Sequence, residues 1–296
     1  MTCENIRIAL FGNTFQREKN AFVSDILGCL ASLGVSVCIE EGFARFAARS
    51  GIIPQGHRYE TFGAGECRAD FAVSVGGDGT FLGTAAQVGS AGIPILGVNI
   101  GRLGFLADVS PDNIAPAFAS LCRGEYTVER RRVLSVEKDG KLSAFFPYAL
   151  NEVAVLKHDN SSLIEIGTWV DGHFLANYLA DGLIVCTPTG STGYSLSVGG
   201  PVLTPGSGTI GISPIAPHSL SLRPLVVRDD VEVRMEIRSR SHNFLLAADG
   251  RSESLPDSTV VTVRRAPHCV NVIKIQHPDF FGTLREKLMW GADTRG

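Results

Sequence analysis

The chain lacks the features that mark several large classes of protein. Its seven cysteines are odd in number, scattered, and never spaced as CxxC. That pattern excludes a disulfide framework or a zinc ribbon as the organising principle and fits free thiols in a reducing compartment, the cytoplasm. No apolar run approaches the length of a membrane span. The opening residues have no signal-peptide layout and lead straight into the strand-like Ile6 to Phe11. Histidines are few, and none has HExxH or paired-ligand spacing, so no metal site built by the protein's own side chains is expected. Neither charge sign dominates: the net charge of −3 gives no electrostatic reason to expect nucleic acid or an anionic membrane as partner. With 44% of its 296 residues hydrophobic, the chain can bury a large core, and its length suggests two domains.

The first part alternates strands and helices. Strand-like runs at Ile6 to Phe11, Val35 to Ile39, Phe71 to Val75 and Pro94 to Val98 are interleaved with helical patterns at residues 17–33, 41–49, 80–90 and 111–124. This alternation predicts a Rossmann-like parallel α/β domain with helices on both faces. Past Glu125 the texture changes. Runs at Val133 to Glu137, Ala149 to Leu156, Leu163 to Val170, Leu183 to Cys186, Val226 to Ile237 and Thr259 to Val263 predict a sandwich-like β domain. Residues 278–290 are helical again, and that helix is expected to return to the first domain. The expected division is 1–126 with 276–296, and 127–275.

Two constellations carry chemistry. Val75 to Thr80 reads VGGDGT at the end of an apolar strand. Glycines at a strand-to-helix junction let backbone N–H groups approach a phosphate. The lone Asp78 in such a cradle is repelled by phosphates unless it holds a metal or takes a proton, and that points to phosphoryl transfer. The pattern is neither a Walker A loop nor GxGxxG, and Gly-Gly-Asp-Gly is also ordinary turn chemistry. The second constellation, Thr187 to Ser195 (TPTGSTGYS), follows the strand Leu183 to Cys186. It offers hydroxyls for polar edges, Tyr194 for stacking and glycines for close approach, a set suited to a sugar-and-base ligand; a Ser/Thr-rich β-turn would look the same in isolation.

With these blocks go NIGRLGFL (Asn99 to Leu106), NEV (Asn151 to Val153), DGLIVCTPTGSTGYSLSVGGPV (Asp181 to Val202), SPIAPHSLSLRPLVV (Ser213 to Val227), Ala248-Asp-Gly250 and Phe281-x-x-x-Arg285. In this order they resemble the ATP–NAD kinase family across nearly the whole chain. The resemblance implies phosphorylation of NAD to NADP, with ATP as donor and a divalent cation, Mg2+, accompanying it. It implies an α/β domain, a β-rich domain holding most of the NAD, a C-terminal helix returning to the first, and a homodimer or homotetramer. By the same resemblance Asp78 is the catalytic carboxylate, acting as general base or through magnesium, while Gly77 and Gly79 bring backbone close to phosphate. Asn151 and Glu152 bind at the nicotinamide-side ribose and the edge of the adenine-side site. Asp181 contacts the nicotinamide portion. Thr189, Thr192, Gly193, Tyr194 and Ser197 line the NAD pocket, with Asp249 at its far edge. Glycine stands at 193 where the family often has alanine, which enlarges the pocket slightly.

Other residues have blander readings. Arg102 is either a phosphate contact or a capping or surface residue. His218 reads as a structural hydrogen-bonding histidine, Arg130 to Arg132 as a solvated face or an oligomer contact ahead of a phosphate clamp, and Trp169 and Trp290 as core or interface. Two rival functions share the GGDGT turn: a diacylglycerol- or sphingosine-type lipid kinase, and a non-catalytic nucleotide sensor. The first should lack the TPTGSTGYS and NEV blocks. The second should have lost Asp78 or Asn151.

Overall fold

The computed structural model describes residues 6–13, 21–53, 58–101, 104–107, 109–159, 162–275 and 280–291. The chain forms two compact units, Met1–Arg130 with Val270–Gly296, and Arg131–Cys269.

The first unit is built on β1 (Arg7–Gly12), β2 (Ser36–Glu40), β3 (Glu60–Phe62), β4 (Phe71–Val75) and β5 (Ile95–Val98), with α1 (Ala21–Ser32), α2 (Glu41–Arg49), α3 (Asp78–Val88) and α4 (Ile114–Arg123) between and after them. The strands are parallel in the order β3-β2-β1-β4-β5. Their apolar runs are buried on both faces, as parallel strands between helices must be: Ile8 to Phe11, Ala72 to Val75 and Ile95 to Val98 are all inaccessible. The order reverses at the β1–β4 pair. In an open sheet of this kind the crevice beyond the carboxyl ends of the strands at such a reversal is where ligands bind. The GGDGT turn leaves β4 at that place. Helix α1 begins at Ala21 among the described residues; 17–20, part of the expected helix, lie outside them.

The second unit is a β-sandwich. Its strands are β6 (Thr127–Lys138), β7 (Lys141–Leu142), β8 (Tyr148–Ala149), β9 (Glu152–Lys157), β10 (Ile164–Val170), β11 (His173–Ala180), β12 (Gly182–Cys186), β13 (Thr209–Ile215), β14 (Leu225–Arg228), β15 (Val233–Arg238), β16 (Asn243–Ala248), β17 (Arg251–Pro256) and β18 (Val260–Lys274), with the one-turn helix α5 (Tyr194–Ser197) after β12. One sheet has the order β14-β13-β12-β9-β16-β17, all antiparallel. Alternate residues of both sheets meet in one core, among them Val153, Val155, Leu183, Val185, Phe244 and Leu246 from this sheet and Ile164, Ile166, Met235 and Val261 from the other. Side chains of opposite parity, Ala154, Ile184 and Cys186, pack on the outer face with Val198.

Several expectations need correction. The run Val226 to Ile237 is two strands, β14 and β15, because Asp229-Asp230 turns the chain between them; Asp229 is buried and holds Arg132 (3.1 Å) and Arg265 (2.9 Å). Arg130 to Arg132 is therefore solvated only in part: Arg130 and Arg132 are exposed, Arg132 is paired with Asp229, and Arg131 is buried. Strand β18 is far longer than Thr259 to Val263. Its start pairs with β15 in the second unit, and its end, from Val270, belongs to the first unit, where Val272 pairs parallel with Ile95. The last helix, α6 (Phe280–Leu288), follows and belongs to the first unit. Trp290 is exposed, while Trp169 is half-buried between Phe174 and the Arg234 guanidinium. Cys29, Cys38, Cys67, Cys186 and Cys269 are free, but Cys122 is disulfide-bonded, contrary to the expectation of free thiols throughout.

Candidate functional site

In the first unit the GGDGT turn ends β4 and starts α3. Gly76 sits at φ 158°, and a Cβ there would lie 2.2 Å from the Thr80 hydroxyl. Gly77, the N-cap, and Gly79 face open space where a Cβ would be. The Thr80 and Phe81 N–H groups bond the Gly77 carbonyl, which leaves the Asp78 and Gly79 amides, the first of the helix, to face this opening as an anion site would require.

Asp78, the first residue of α3, does not float in that opening. Its Oδ2 accepts from the Phe105 N–H at 2.7 Å, and its Oδ1 accepts from the N–H groups of Leu106 (3.0 Å) and Ala107 (3.3 Å). Three successive amides of the segment after β5 thus clasp one carboxylate. Gly104 is what permits the approach, since a Cβ on it would lie 1.9 Å from Oδ1. Asn99 folds the same segment back, accepting from the Gly101 N–H and donating to the Ala107 carbonyl. A carboxylate offers about four acceptor sites. Three are engaged, which leaves one on Oδ2. Arg102 lies outside the described residues.

In the second unit the antiparallel register brings the start of β9, the end of β12 and the end of β16 to one edge: Glu152 is opposite Cys186, and Val153 opposite Ala248. Asp249 follows β16 at φ 49°, a left-handed conformation that Asp tolerates. Its carboxylate accepts from the N–H groups of Leu150 (2.6 Å), Asn151 (2.8 Å) and Glu152 (3.1 Å). The two Asp-Gly turns therefore perform the same local task, each fixing three consecutive residues of a distant segment. Asp249 spends its oxygens on backbone, so its place is beneath Asn151 and Glu152 rather than at the rim.

The TPTGSTGYS loop closes over this edge. Thr187 donates to the Leu150 carbonyl (2.6 Å) and accepts from the Gly190 N–H; Ser191 donates to Pro188 and accepts from the Leu203 N–H (2.9 Å). Both hydroxyls are buried and build the loop instead of offering edges to a ligand. Thr189 is buried, and Thr192 donates back to its carbonyl. Gly190 packs on the Asn151 backbone, with no room for a Cβ. Tyr194 and Ser197 are exposed on α5.

At this edge two described side-chain atoms are buried without a hydrogen-bond partner, Asn151 Oδ1 and Glu152 Oε2. Gly193 stands over them. A Cβ there would lie 3.2 Å from Glu152 Oε2 and 3.5 Å from Asn151 Nδ2, so glycine leaves both side chains uncovered. Buried acceptors are normally satisfied, and a ligand that donates hydrogen bonds would satisfy these. Burial, reinforced by the neighbouring Asp249 charge, pushes the Glu152 carboxyl up to about 7. Near neutrality it can accept or donate.

Asp181 is not part of this group. It sits at the other end of the β9–β12 pair, roughly 17 Å away at about 3.3 Å per residue, and pairs with Lys157 at 2.6 Å. His218 is exposed. Its backbone N–H, not its ring, bonds Leu179, and it lines a separate cavity of 590 Å³ with Arg238 and Arg240. No cluster of three or more metal-ligating side chains occurs among the described residues.

The model of the ATP-NAD kinase N-terminal domain matches residues 8–126, and that of the C-terminal domain matches residues 150–275. The chain belongs to the ATP–NAD kinase family. Relatives in that family include NAD kinases of Bacteroides fragilis, 48% identical over 98% of this chain and 100% of the relative, and of Porphyromonas gingivalis, 41% identical over 98% and 99%. Among solved structures, yeast NADH kinase complexed with NADH has a TM-score of 0.88 at 24% identity, covering 98% of this chain and 89% of that one. An NAD kinase from Archaeoglobus fulgidus in complex with ATP has a TM-score of 0.74 at 27% identity, covering 96% and 99%. Both of the family's domains are thus represented, the parallel α/β domain with the Asp78 turn and the antiparallel β domain with the Asn151–Glu152 edge.

Exposure of Tyr194 leads to one prediction. Stacking of an aromatic on a base is worth roughly 1–3 kcal/mol, so Tyr194→Ala should raise the KM for NAD about tenfold while the melting temperature holds. An unchanged KM would remove Tyr194 from the binding surface.

Proposed function

We infer that this chain transfers the terminal phosphoryl group of ATP to the 2′-hydroxyl of the adenosine ribose of NAD, making NADP. NAD kinase is the activity that goes with membership of the family over both domains. The observation that carries the residue assignment is the pair of buried, unbonded acceptors Asn151 Oδ1 and Glu152 Oε2 under an uncovered Gly193. They match the donors of ribose hydroxyls and amino groups. Thr189, Thr192, Gly193, Tyr194 and Ser197 form the rest of that binding surface. Asp249 supports it from below by holding Leu150 to Glu152.

Asp78 is the catalytic carboxylate in this reading. Its free acceptor site on Oδ2 takes the hydroxyl proton as attack proceeds. The three amides fix its direction, so little reorganisation is needed during the reaction. Gly77 and Gly79 expose the first amides of α3 to phosphate. Magnesium fits as a companion of ATP, held chiefly by the substrate phosphates; the one free site on Asp78 Oδ2 would serve either the hydroxyl or the metal, not both. When bound, it neutralises charge on the transferring group.

A homo-oligomer, dimer or tetramer, is the assembly we propose. Apolar side chains exposed in the second unit support it: Phe174, Leu179, Leu220, Leu225 and Val226. No helix among the described residues is long and apolar enough to cross a membrane. The five free cysteines support a cytoplasmic setting, and the disulfide-bonded Cys122 is the one described cysteine that counts against it.

Purified protein given NAD, ATP, magnesium and diacylglycerol together should yield NADP and no phosphorylated lipid. Phosphatidic acid without NADP would replace this reading with the lipid kinase.

A further inference from the structure

The clasp on Asp78 depends on where residues 105–107 are held, and the C-terminal helix reaches that segment. Helix α6 lies in the first unit, and its Lys287 ammonium stands over the Phe105 ring, 4.7 Å from the centroid. Phe105 donates the shortest of the three hydrogen bonds to Asp78, the one to Oδ2 at 2.7 Å. Oδ2 is also the oxygen that keeps a free acceptor site. Two contacts therefore join in series, Lys287 on the Phe105 face and the Phe105 N–H on Oδ2, and they end at the oxygen that the function inferred above assigns to the reacting hydroxyl.

We propose that Lys287 is a positioning residue for phosphoryl transfer, acting through Phe105 to aim the Asp78 carboxylate. The physical case has three parts. A cation over an aromatic face is a directional attraction, strongest when partly desolvated, and Lys287 is half-buried. Among the described residues the segment is also held by Asn99, by the Asp78 clasp and by burial of Leu106 and Ala107 against Gly97, whereas the Phe105 ring has the Lys287 cation on its face. Gly104, next to Phe105, has no side chain with which to anchor the segment. Removing the cation frees the ring and lets the Phe105 amide swing, and the free acceptor on Oδ2 turns with it. Misplacement of a reacting group by about 1 Å can cost on the order of 10²-fold in rate. The proposal rests on the NAD kinase reading and adds to it an element 180 residues downstream of the strap in sequence, too distant for any sequence motif to connect.

The test compares wild type with Lys287→Met, which keeps the stem and removes the charge, and with Lys287→Arg, which keeps a cation able to lie over the ring. Lys287→Met should lower kcat about tenfold with the KM for NAD and the melting temperature unchanged, and Lys287→Arg should recover most of it. Phe105→Leu should lower kcat to a similar extent, and the double variant Phe105→Leu/Lys287→Met should fall no further than either alone. Unchanged kcat in Lys287→Met, additive losses in the double variant, or a kcat loss that tracks a fall in melting temperature would each overturn the proposal. Wild-type protein that makes no NADP under any condition would instead overturn the reading on which it rests.

Discussion

Replacing Asp78 with asparagine should lower kcat for NADP formation on the order of 10²-fold or more, with NAD affinity largely kept. A ribose hydroxyl is a poor nucleophile at neutral pH, and a positioned carboxylate accepts its proton as attack proceeds. Phosphoryl transfer is often loose, so positioning carries part of the same factor. Asparagine damages both. It removes the basic oxygen, and its NH2 group would face one of the amides that now donate to Asp78. Two donors then confront each other, at a cost of about 1–3 kcal/mol to the strap. NAD affinity should survive because the residues proposed to hold NAD belong to the second unit. Parallel calorimetry and turnover measurements separate the two quantities. Near-normal turnover would reduce Asp78 to a turn residue.

The second large effect concerns pH and stability. Glu152 is pushed from its ordinary 4.5 to about 7, first by burial and then by the Asp249 charge. The sign follows from linkage. In the unfolded chain the carboxyl ionises near 4.5, whereas in the fold it holds its proton to about 7, so the folded state is penalised progressively as pH rises between those values. Glu152→Gln keeps the shape and removes the charge. The variant should gain stability over wild type by about 2 kcal/mol more at pH 8 than at pH 5. Urea unfolding of both proteins at the two pH values measures this. An equal difference at both would mean that Glu152 ionises normally, contradicting its burial. The same variant should bind NAD more weakly at pH 8, where the ionised acceptor is lost.

Much of the first unit is legible in the sequence because its signals are local. Phe71 to Val75 is a continuous apolar run, glycines punctuate its end, and α3 follows at once. The family blocks are equally legible, since each is contiguous. The remainder depends on partners far apart in sequence. Nothing near Asp249 announces that it will bind amides about a hundred residues away, and the family resemblance alone places it at the far edge of the pocket. Thr187 and Ser191 look like ligand hydroxyls in a string, yet they are consumed by Leu150, Pro188 and Leu203. Asp181 is contiguous with the loop motif, but a five-residue strand carries it to the opposite end of the sheet. Arg131 looked solvated because a charge run has no visible partner in one dimension. One departure is readable, since Asp229-Asp230 interrupts an apolar run with two turn-forming residues; the long β18 strand is masked by its polar Arg264-Arg265 step and by Pro267.

The most direct measurement is the position of the new phosphate. With ATP labelled at the terminal phosphoryl group, wild-type protein and Asp78→Asn are incubated with NAD and magnesium, and the product is examined by phosphorus NMR. The account predicts one labelled phosphate on the 2′-oxygen of the adenosine ribose, formed by wild type at least a hundredfold faster than by the variant. Label on the 3′-oxygen, label released only as inorganic phosphate, or equal rates for the two proteins would contradict it.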